Sequence, residues 1–528
     1  MRTEIFSILT AFLLVCGCNS GSRTEGTAAL SLDGTETESA EILPITGTFI
    51  NLPYQDVRNK YTNPQHLDCT DPSLWTAKVA QMKKMGMEYL VFMSVANEEK
   101  SYYPSKLMDW HYPDWRKSPV DAIMDAAAEH GMKVFMSTGW AKDQDDNLRD
   151  PKIKGRQMQM MEELAGIYGE HPAFHGWYLP VEDCFGPVLT DYAVEAVNAL
   201  TDRARELTPS AKILISPYGI FNSDFDDPRY EQQIARLKVD IIAYQDEIGC
   251  VRERYPLPRL RANWKKLRAI HDRTGIEMWA NCESFAWEKG TNDRSSALIP
   301  APYGRFLAQQ AAATAGGADR IISFMMCGIF ENPDSPYQLG QPHWSGKAYE
   351  NYMAWKDGAR YWKFAEAAFY GNLKSAKEWV AWNPSDFGQG RSVVIRDGKT
   401  AEEDVMDKRW AVYHPGVNEI FIDLIDPTEV NELMVRMLNS EKDGVIPPVK
   451  IHLFASIDGQ SWTLAQIKDT PVFPNIGHDA FIDCVLFDDI RLPVTDGKKM
   501  KPVSLKLAFT CEHKTYIDEI FVNPTEIK

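Results

Sequence analysis

Between residues 45 and 327, eight short apolar or aromatic runs alternate with seven longer amphipathic stretches, a rhythm open to few folds. The runs that read as strands are Ile45–Leu52, Tyr89–Ala96, Lys133–Trp140, Phe174–Val181, Lys212–Tyr218, Asp240–Asp246, Ile276–Cys282 and Arg320–Cys327. The stretches between them read as helices over Leu74–Met85, Pro119–His130, Gly155–Tyr168, Asp191–Leu207, Arg229–Leu237, Leu260–Arg273 and Pro302–Ala315. Ser118-Pro119 supplies an N-cap with proline in the first turn, and His130-Gly131, Thr274-Gly275 and Gly316-Gly317 stand where a helix has to stop. The reading is an α/β chain whose first part is a (β/α)8 TIM barrel, a fold that needs roughly 250 residues or more. A doubly wound open sheet is disfavoured, because Asn51-Leu52-Pro53-Tyr54 after the first strand cannot form a glycine-rich phosphate loop.

After Trp382 the rhythm changes to short alternating runs: Arg391–Arg396, Glu419–Leu424, Val449–Ser456, Phe481–Phe487, Val503–Phe509 and Tyr516–Val522. That is the pattern of an all-β sandwich. The aromatic-rich stretch 343–382 reads as the last barrel helix and a packed connector. The expected organisation is 1–18 signal peptide, 19–41 tether, 42–360 barrel, 361–385 connector and 386–528 sandwich.

The amino-terminal segment has a basic residue, Arg2, and then an apolar run, Ile5 to Val15, too short to span a bilayer as a mature helix. It ends in Val15-Cys16-Gly17-Cys18, which resembles a bacterial lipobox, with Cys18 as the lipidated residue. Residues 19–41, rich in Ser, Thr, Gly and Glu, read as a flexible tether. The expectation is a protein anchored by lipid in the cell envelope, on the periplasmic side or at the outer surface. Its 57 basic against 74 acidic residues leave a formal charge of −17, which argues against a nucleic-acid partner. None of the nine cysteines forms a CxxC pair, so no structural metal is expected, and no organic cofactor either.

In a barrel, chemistry gathers at the C-terminal strand ends. Strand four runs into Trp177-Tyr178-Leu179-Pro180-Val181-Glu182, strand six into Tyr244-Gln245-Asp246-Glu247, and strand seven into Trp279-Ala280-Asn281-Cys282-Glu283-Ser284-Phe285. Glycoside hydrolysis needs two carboxyl groups flanking the scissile bond, one to protonate the leaving oxygen and one to attack or to activate water. Glu182 and Glu283 come from strands that face each other across the mouth. Asp246 and Glu247 are rival carboxylates. Sugar rings present apolar C–H faces on which flat side chains stack. Trp140, Trp177, Tyr178, Tyr218, Tyr244, Trp279 and Phe285 are therefore candidate substrate contacts, with Gln245 and Asn281 as hydroxyl partners. His175, inside strand four, reads as a core imidazole.

The placement of Glu182 and Glu283 resembles the clan-A glycoside hydrolases. That resemblance implies Glu182 as acid/base, Glu283 as nucleophile and Tyr244 as the tyrosine that holds the nucleophile. The chain departs from the clan at Val181, where Asn is usual, and at strand eight, where Phe324 and Phe330 are the nearest stand-ins for the usual tryptophan. The sandwich segments, among them Ala455-Ser456-Ile457-Asp458-Gly459-Gln460-Ser461-Trp462, resemble a discoidin-like (galactose-binding-like) domain. With the lipobox, Phe174-His175-Gly176-Trp177-Tyr178-Leu179-Pro180-Val181-Glu182 and Tyr244-Gln245-Asp246 make the whole chain similar to a lipoprotein family of gut bacteria. This is the domain of unknown function 4434, a barrel to which glycoside hydrolysis is ascribed. The function expected is cleavage of a glycosidic bond in an extracytoplasmic oligosaccharide or polysaccharide. The rivals are a non-catalytic glycan-binding lipoprotein and a barrel hydrolase that uses Asp246 and Glu247 with a metal.

Overall fold

The structure is a computed structural model. It describes residues 42–52, 69–114, 117–140, 146–181, 186–251, 257–289, 296–326, 328–339, 344–358, 373–376, 379–382, 394–470, 480–495 and 498–526. The expected signal peptide, Cys18 and Glu182 lie outside these residues.

The eight expected strands form as β1 (Ile45–Ile50), β2 (Tyr89–Phe92), β3 (Lys133–Ser137), β4 (Phe174–Tyr178), β5 (Lys212–Ile215), β6 (Ile241–Gln245), β7 (Glu277–Glu283) and β8 (Arg320–Phe324). They close a parallel barrel in the order β1-β8-β7-β6-β5-β4-β3-β2. Between them run α1 (Pro72–Lys84), α2 (Pro119–Glu129), α3 (Pro151–Tyr168), α4 (Asp191–Leu207), α5 (Pro228–Ile234), a single turn α6 (Ile248–Val251), α7 (Leu257–Thr274) and α8 (Tyr303–Ala315), with α9 (Trp344–Lys356) after β8. The side chains of Asp71, Ser118, Asp150, Thr190 and Asp227 accept first-turn N–H groups of α1 to α5, and proline opens α1, α2, α3 and α5. Each cap satisfies a donor that the helix itself leaves unpaired, which fixes where the chain turns from loop to helix. Gly131, Gly275 and Gly317 take left-handed φ values of 62°, 74° and 84° where helices end.

Two cores nest. Inside the barrel pack Phe49, Tyr89, Val91, Phe135, Tyr178, Leu214, Ile241, Ala243, Trp279 and Ile322. A larger core, including Trp177, Tyr244 and Trp264, lies between strands and helices. Gly176 is required in β4, because a Cβ there would sit 2.0 Å from the Lys212 carbonyl oxygen of β5.

Among the described residues of the second β region, nine strands build its two main sheets: β9 (Trp379–Trp382), β10 (Ala411–Tyr413), β11 (Gly416–Leu424), β12 (Leu433–Asn439), β13 (Lys450–Ser456), β14 (Thr463–Asp469), β15 (Phe481–Phe487), β16 (Ser504–Cys511) and β17 (Thr515–Val522). They form two antiparallel sheets, β9-β11-β16-β13-β14 and β10-β17-β12-β15. Residues of both sheets, such as Ile422, Leu453 and Leu507 with Val435, Val485 and Ile520, share one core. The expected strand at Arg391–Arg396 is not one over its described part, 394–396. The strand β12 was not expected from alternation. All seven of its residues are buried, because the five-stranded sheet covers one face and a segment carrying Ala401 and Trp410 covers the other. Inside it Arg436 pairs with buried Asp518. In the Ser456–Trp462 segment, Asp458 accepts the N–H groups of Gln460 and Ser461 at 2.8 and 2.7 Å, which makes this segment a tight turn with Gly459 at φ 72°.

Candidate active site

At the C-terminal ends of β6 and β7 three carboxyl groups come together. Side chains alternate along β7, so Trp279, Asn281 and Glu283 share one face, and Trp279 fixes that face as the barrel interior. Glu283 is the last residue of β7 and is 4% exposed. Its Oε2 accepts the Cys250 N–H from α6 at 2.8 Å. Gly249 makes the approach possible, since a Cβ there would lie 2.9 Å from that same oxygen. Glu247 is 3% exposed and holds a left-handed φ of 56°, a conformation few residues other than glycine adopt. Its Oε2 accepts the Gly219 N–H at 2.7 Å, which turns it toward the loop after β5.

Asp246 plays another part. Its Oδ1 accepts the N–H groups of Glu283 (3.1 Å) and Ile248 (3.2 Å), and its Oδ2 accepts Nε2 of Gln309 (2.7 Å). Gln309 and Arg305, one turn apart on α8, also reach the Glu283 carbonyl at 3.1 and 3.3 Å, and Arg305 reaches the Phe285 carbonyl at 2.7 Å. Asp246 is fully buried under this clamp, and both its oxygens are engaged in holding the β6 and β7 ends together. Arg305 and Gln309 were missed as site residues. The available signal was two polar residues at i and i+4 in Tyr303–Ala315, a helix whose neighbours are Phe, Leu and Ala.

Electrostatics distinguishes the remaining two acids from ordinary surface carboxylates. Burial, followed by repulsion from Glu283, pushes Glu247 up to about 8, against the pull of the N–H groups of Gly219 and Phe221. Burial, followed by repulsion from Asp246, pushes Glu283 up to about 7, against the Cys250 hydrogen bonds and the nearby Arg305. At neutral pH such a pair holds one proton more readily than none. Around it lie buried polar groups. Asn281 Nδ2 donates to Ser216 Oγ at 3.0 Å, and Gln245 Nε2 donates to the Ser216 carbonyl at 2.8 Å. Asn281 Oδ1 finds no partner among the described residues.

The aromatic expectations divide. Trp177 faces the helices and donates its indole N–H to Thr208 Oγ1 at 2.7 Å, so it is not a sugar platform. Tyr244 also faces outward. His271, held near 4 mainly by burial, is neutral and donates from Nδ1 to the Ile276 carbonyl, so its Nε2 accepts the Tyr244 hydroxyl at 2.8 Å. Tyr244 therefore does not hold Glu283. Trp279 and Tyr178 fill the barrel interior, Trp279 against Tyr89 at 5.1 Å and Tyr178 against Phe49 at 5.2 Å. His175 lies there too, against Phe135 and Tyr89. Phe285 is 3% exposed and packs on Phe324 at 6.2 Å. The partly exposed ring level with Glu283 is Phe324, paired with it in register at the end of β8. Tyr218, after β5, is also partly exposed.

An open cavity of about 620 Å3 lies at the same end of the barrel, beyond β3 and β4. Trp140, Asp146, Arg149, Val181, Asp191 and Tyr192 help to line it, and neither Glu247 nor Glu283 does. Glu182 itself falls outside the described residues, directly after Val181.

No curated protein matches the sequence. Solved structures with a similar chain path are glycoside hydrolases. A candidate α-L-fucosidase from Bacteroides thetaiotaomicron VPI-5482 is 19% identical, over 63% of this chain and 99% of that one, with a TM-score of 0.48. The GH29 fucosidase of Ruminococcus gnavus in complex with fucose is 11% identical, over 93% and 96%, with a TM-score of 0.34. The GH99 endo-α-mannosidase of the same Bacteroides species is 15% identical, over 61% and 98%, with a TM-score of 0.38. The sequence model of the domain of unknown function DUF4434 matches residues 45–337, which span all eight barrel strands, and the chain belongs to that family.

Proposed function

We propose that the barrel hydrolyses glycosidic bonds with Glu283 and Glu247 as its carboxyl pair. The observation that carries this reading is the pairing of two buried acids, at adjacent strand ends, each raised and one repelling the other. Two-carboxyl hydrolysis needs one group ionised and one protonated at the same pH. Glu283, the lower of the two, ionises first and serves as nucleophile or base. Glu247, held near 8, keeps its proton and delivers it to the leaving oxygen. Phe324 offers an apolar face beside Glu283, and Asn281 Oδ1 offers an acceptor to a hydroxyl group.

A second reading keeps Glu283 and takes the acid from Glu182. The cavity favours it, because Pro180 and Val181 form part of that open wall, whereas Glu247 is closed off from solvent. The Gln variants of Glu182, Glu247 and Glu283 separate the readings on a panel of aryl glycosides and oligosaccharides. Glu283→Gln loses at least 1,000-fold in kcat in either case. On the first reading Glu247→Gln loses turnover on poor leaving groups and Glu182→Gln is near wild type; on the second these outcomes exchange. Undiminished turnover by Glu283→Gln rules out both. Glycan binding by a wild-type protein that cleaves nothing returns the chain to a binding lipoprotein.

The site faces the outside of the cell on this proposal, with Cys18 carrying the anchor. Mass spectrometry of the mature amino terminus tests it, and an unmodified Cys18 in membrane-purified protein refutes it.

A further inference from the structure

We infer that the cavity beyond β3 and β4 is a second sugar-binding subsite, and that the substrate is therefore a neutral oligosaccharide chain. This rests on the hydrolase reading and goes one step further, from the reaction to the kind of glycan. The volume, about 620 Å3, falls within the ~300–1,000 Å3 of small-molecule sites. The wall is mixed in the way sugars require. Trp140, Leu148 and Val181 are apolar, whereas Asp146, Asp191 and Tyr192 present groups that bind hydroxyls.

The wall is also held in place before any ligand arrives. The Trp140 indole N–H is fixed on the Pro180 carbonyl at 3.2 Å. Buried Gln157 donates to the Gly139 carbonyl at 2.8 Å. The Tyr192 hydroxyl accepts the Leu148 N–H at 3.0 Å and donates to the Asp146 carbonyl at 3.4 Å. A wall already ordered loses little entropy on binding.

Charge selects the class of sugar. The cavity's one cation among the described residues is Arg149. It lies 5.0 Å over the Tyr192 ring and pairs with Glu195 at 3.4 Å, so it is already matched. Asp191 is matched in turn by Arg236 at 3.6 Å, so the described wall holds no surplus cation to fix a uronate or a sulfate, and a neutral sugar suits it best. Position supplies the link to catalysis. The cavity begins where β3 and β4 end, across the mouth from Glu283 on β7. A chain bound through one unit at Glu283 would run toward it.

The test uses the full chain carrying Glu283→Gln, which binds without turning over. Glycan arrays of defined-length neutral and uronate oligosaccharides come first. Calorimetry of the best tetrasaccharide and of its monosaccharide follows, each with Leu148→Trp, which narrows the cavity, and with Asp191→Ala, which removes an exposed hydroxyl partner. The expected result is at least tenfold weaker binding of the tetrasaccharide by both variants, with monosaccharide affinity and melting temperature unchanged. The inference is overturned if no neutral oligosaccharide binds, if uronate chains bind best, or if neither variant changes the affinity. Its failure is separable from failure of the hydrolase reading. Turnover of aryl monosaccharides unaffected by Leu148→Trp, with tetrasaccharides no better, removes the subsite and leaves the hydrolase. Cavity-dependent binding by a protein that cleaves nothing does the reverse.

Discussion

Replacing Glu247 with Gln gives the sharpest test of the carboxyl pair, because it reads the buried acid through stability and does not require the substrate to be known. Gln keeps the shape and can still accept the Gly219 N–H, now made to Glu247 Oε2 at 2.7 Å. It removes only the ionisation. In the unfolded chain the glutamate titrates near 4.5, and in the folded protein it titrates near 8. Below about 4.5 both states are protonated and the group contributes its full share. As pH rises from there to about 8 the unfolded chain gives up its proton and the folded protein keeps it, so stability falls. Above about 8 both are ionised and the loss is complete. Each tenfold change in proton affinity is worth about 1.4 kcal/mol, so the wild type should lose about 5 kcal/mol relative to Glu247→Gln across this window. Urea unfolding of both proteins, followed by tryptophan fluorescence at pH 5, 7 and 9, measures the difference directly. A gap that stays constant within about 1 kcal/mol from pH 5 to 9 means a solvated carboxylate, and the reasoning fails with it. The same two values place the wild-type optimum of kcat/KM between the ionisation of Glu283 near 7 and that of Glu247 near 8.

Three other perturbations probe the scaffold. Gln309→Leu deprives buried Asp246 of its side-chain donor and should cost roughly 2–3 kcal/mol, read by chemical unfolding, together with a fall in kcat as the end of β7 loosens; unchanged stability would show the clamp to be idle. Tyr244→Phe removes the hydroxyl held by His271 and should cost about 1 kcal/mol without moving the pH profile, whereas a tyrosine that held the nucleophile would shift it. Arg436→Met leaves Asp518 buried without its ion-pair partner and should destabilise the two-sheet region by about 3–5 kcal/mol, seen as a lowered melting transition with aryl-glycoside turnover retained.

The barrel was legible because its determinants are local. Apolar runs with β-forming residues, caps such as Ser118 and stops such as Gly275 sit next to the elements they define; seven of the eight strands fall within the segments expected for them, and β7 runs one residue past its segment, to Glu283. The site was legible only in part. Sequence places Glu283 and Glu247 at strand ends. It does not tell which face a strand-end aromatic takes, and one residue of phase separates Tyr178 in the barrel lumen from Trp177 under the helices. The bulge between β3 and β4, at Val134 and Phe135, further loosens any inference from alternation there. Asp246 looked equivalent to Glu247 in sequence. Only contacts from α8, some sixty residues away along the chain, distinguish it by tying its carboxyl group to the ends of β6 and β7.

The arrangement at β6 and β7 is costly for the fold, and that cost is itself an argument about purpose. A glycine at 247 would accept the φ of 56° without strain, whereas a residue with a Cβ is disfavoured there by roughly 1–2 kcal/mol. A neutral side chain would avoid burying an acid beside Glu283. Asp246, Gln309 and Arg305 instead fix both strand ends so that two glutamates stay close despite their repulsion. A structural role would be met more cheaply by Gln at either position. What Gln cannot do is exchange a proton near neutral pH, and that capacity is what the strained backbone, the burial and the clamp together preserve.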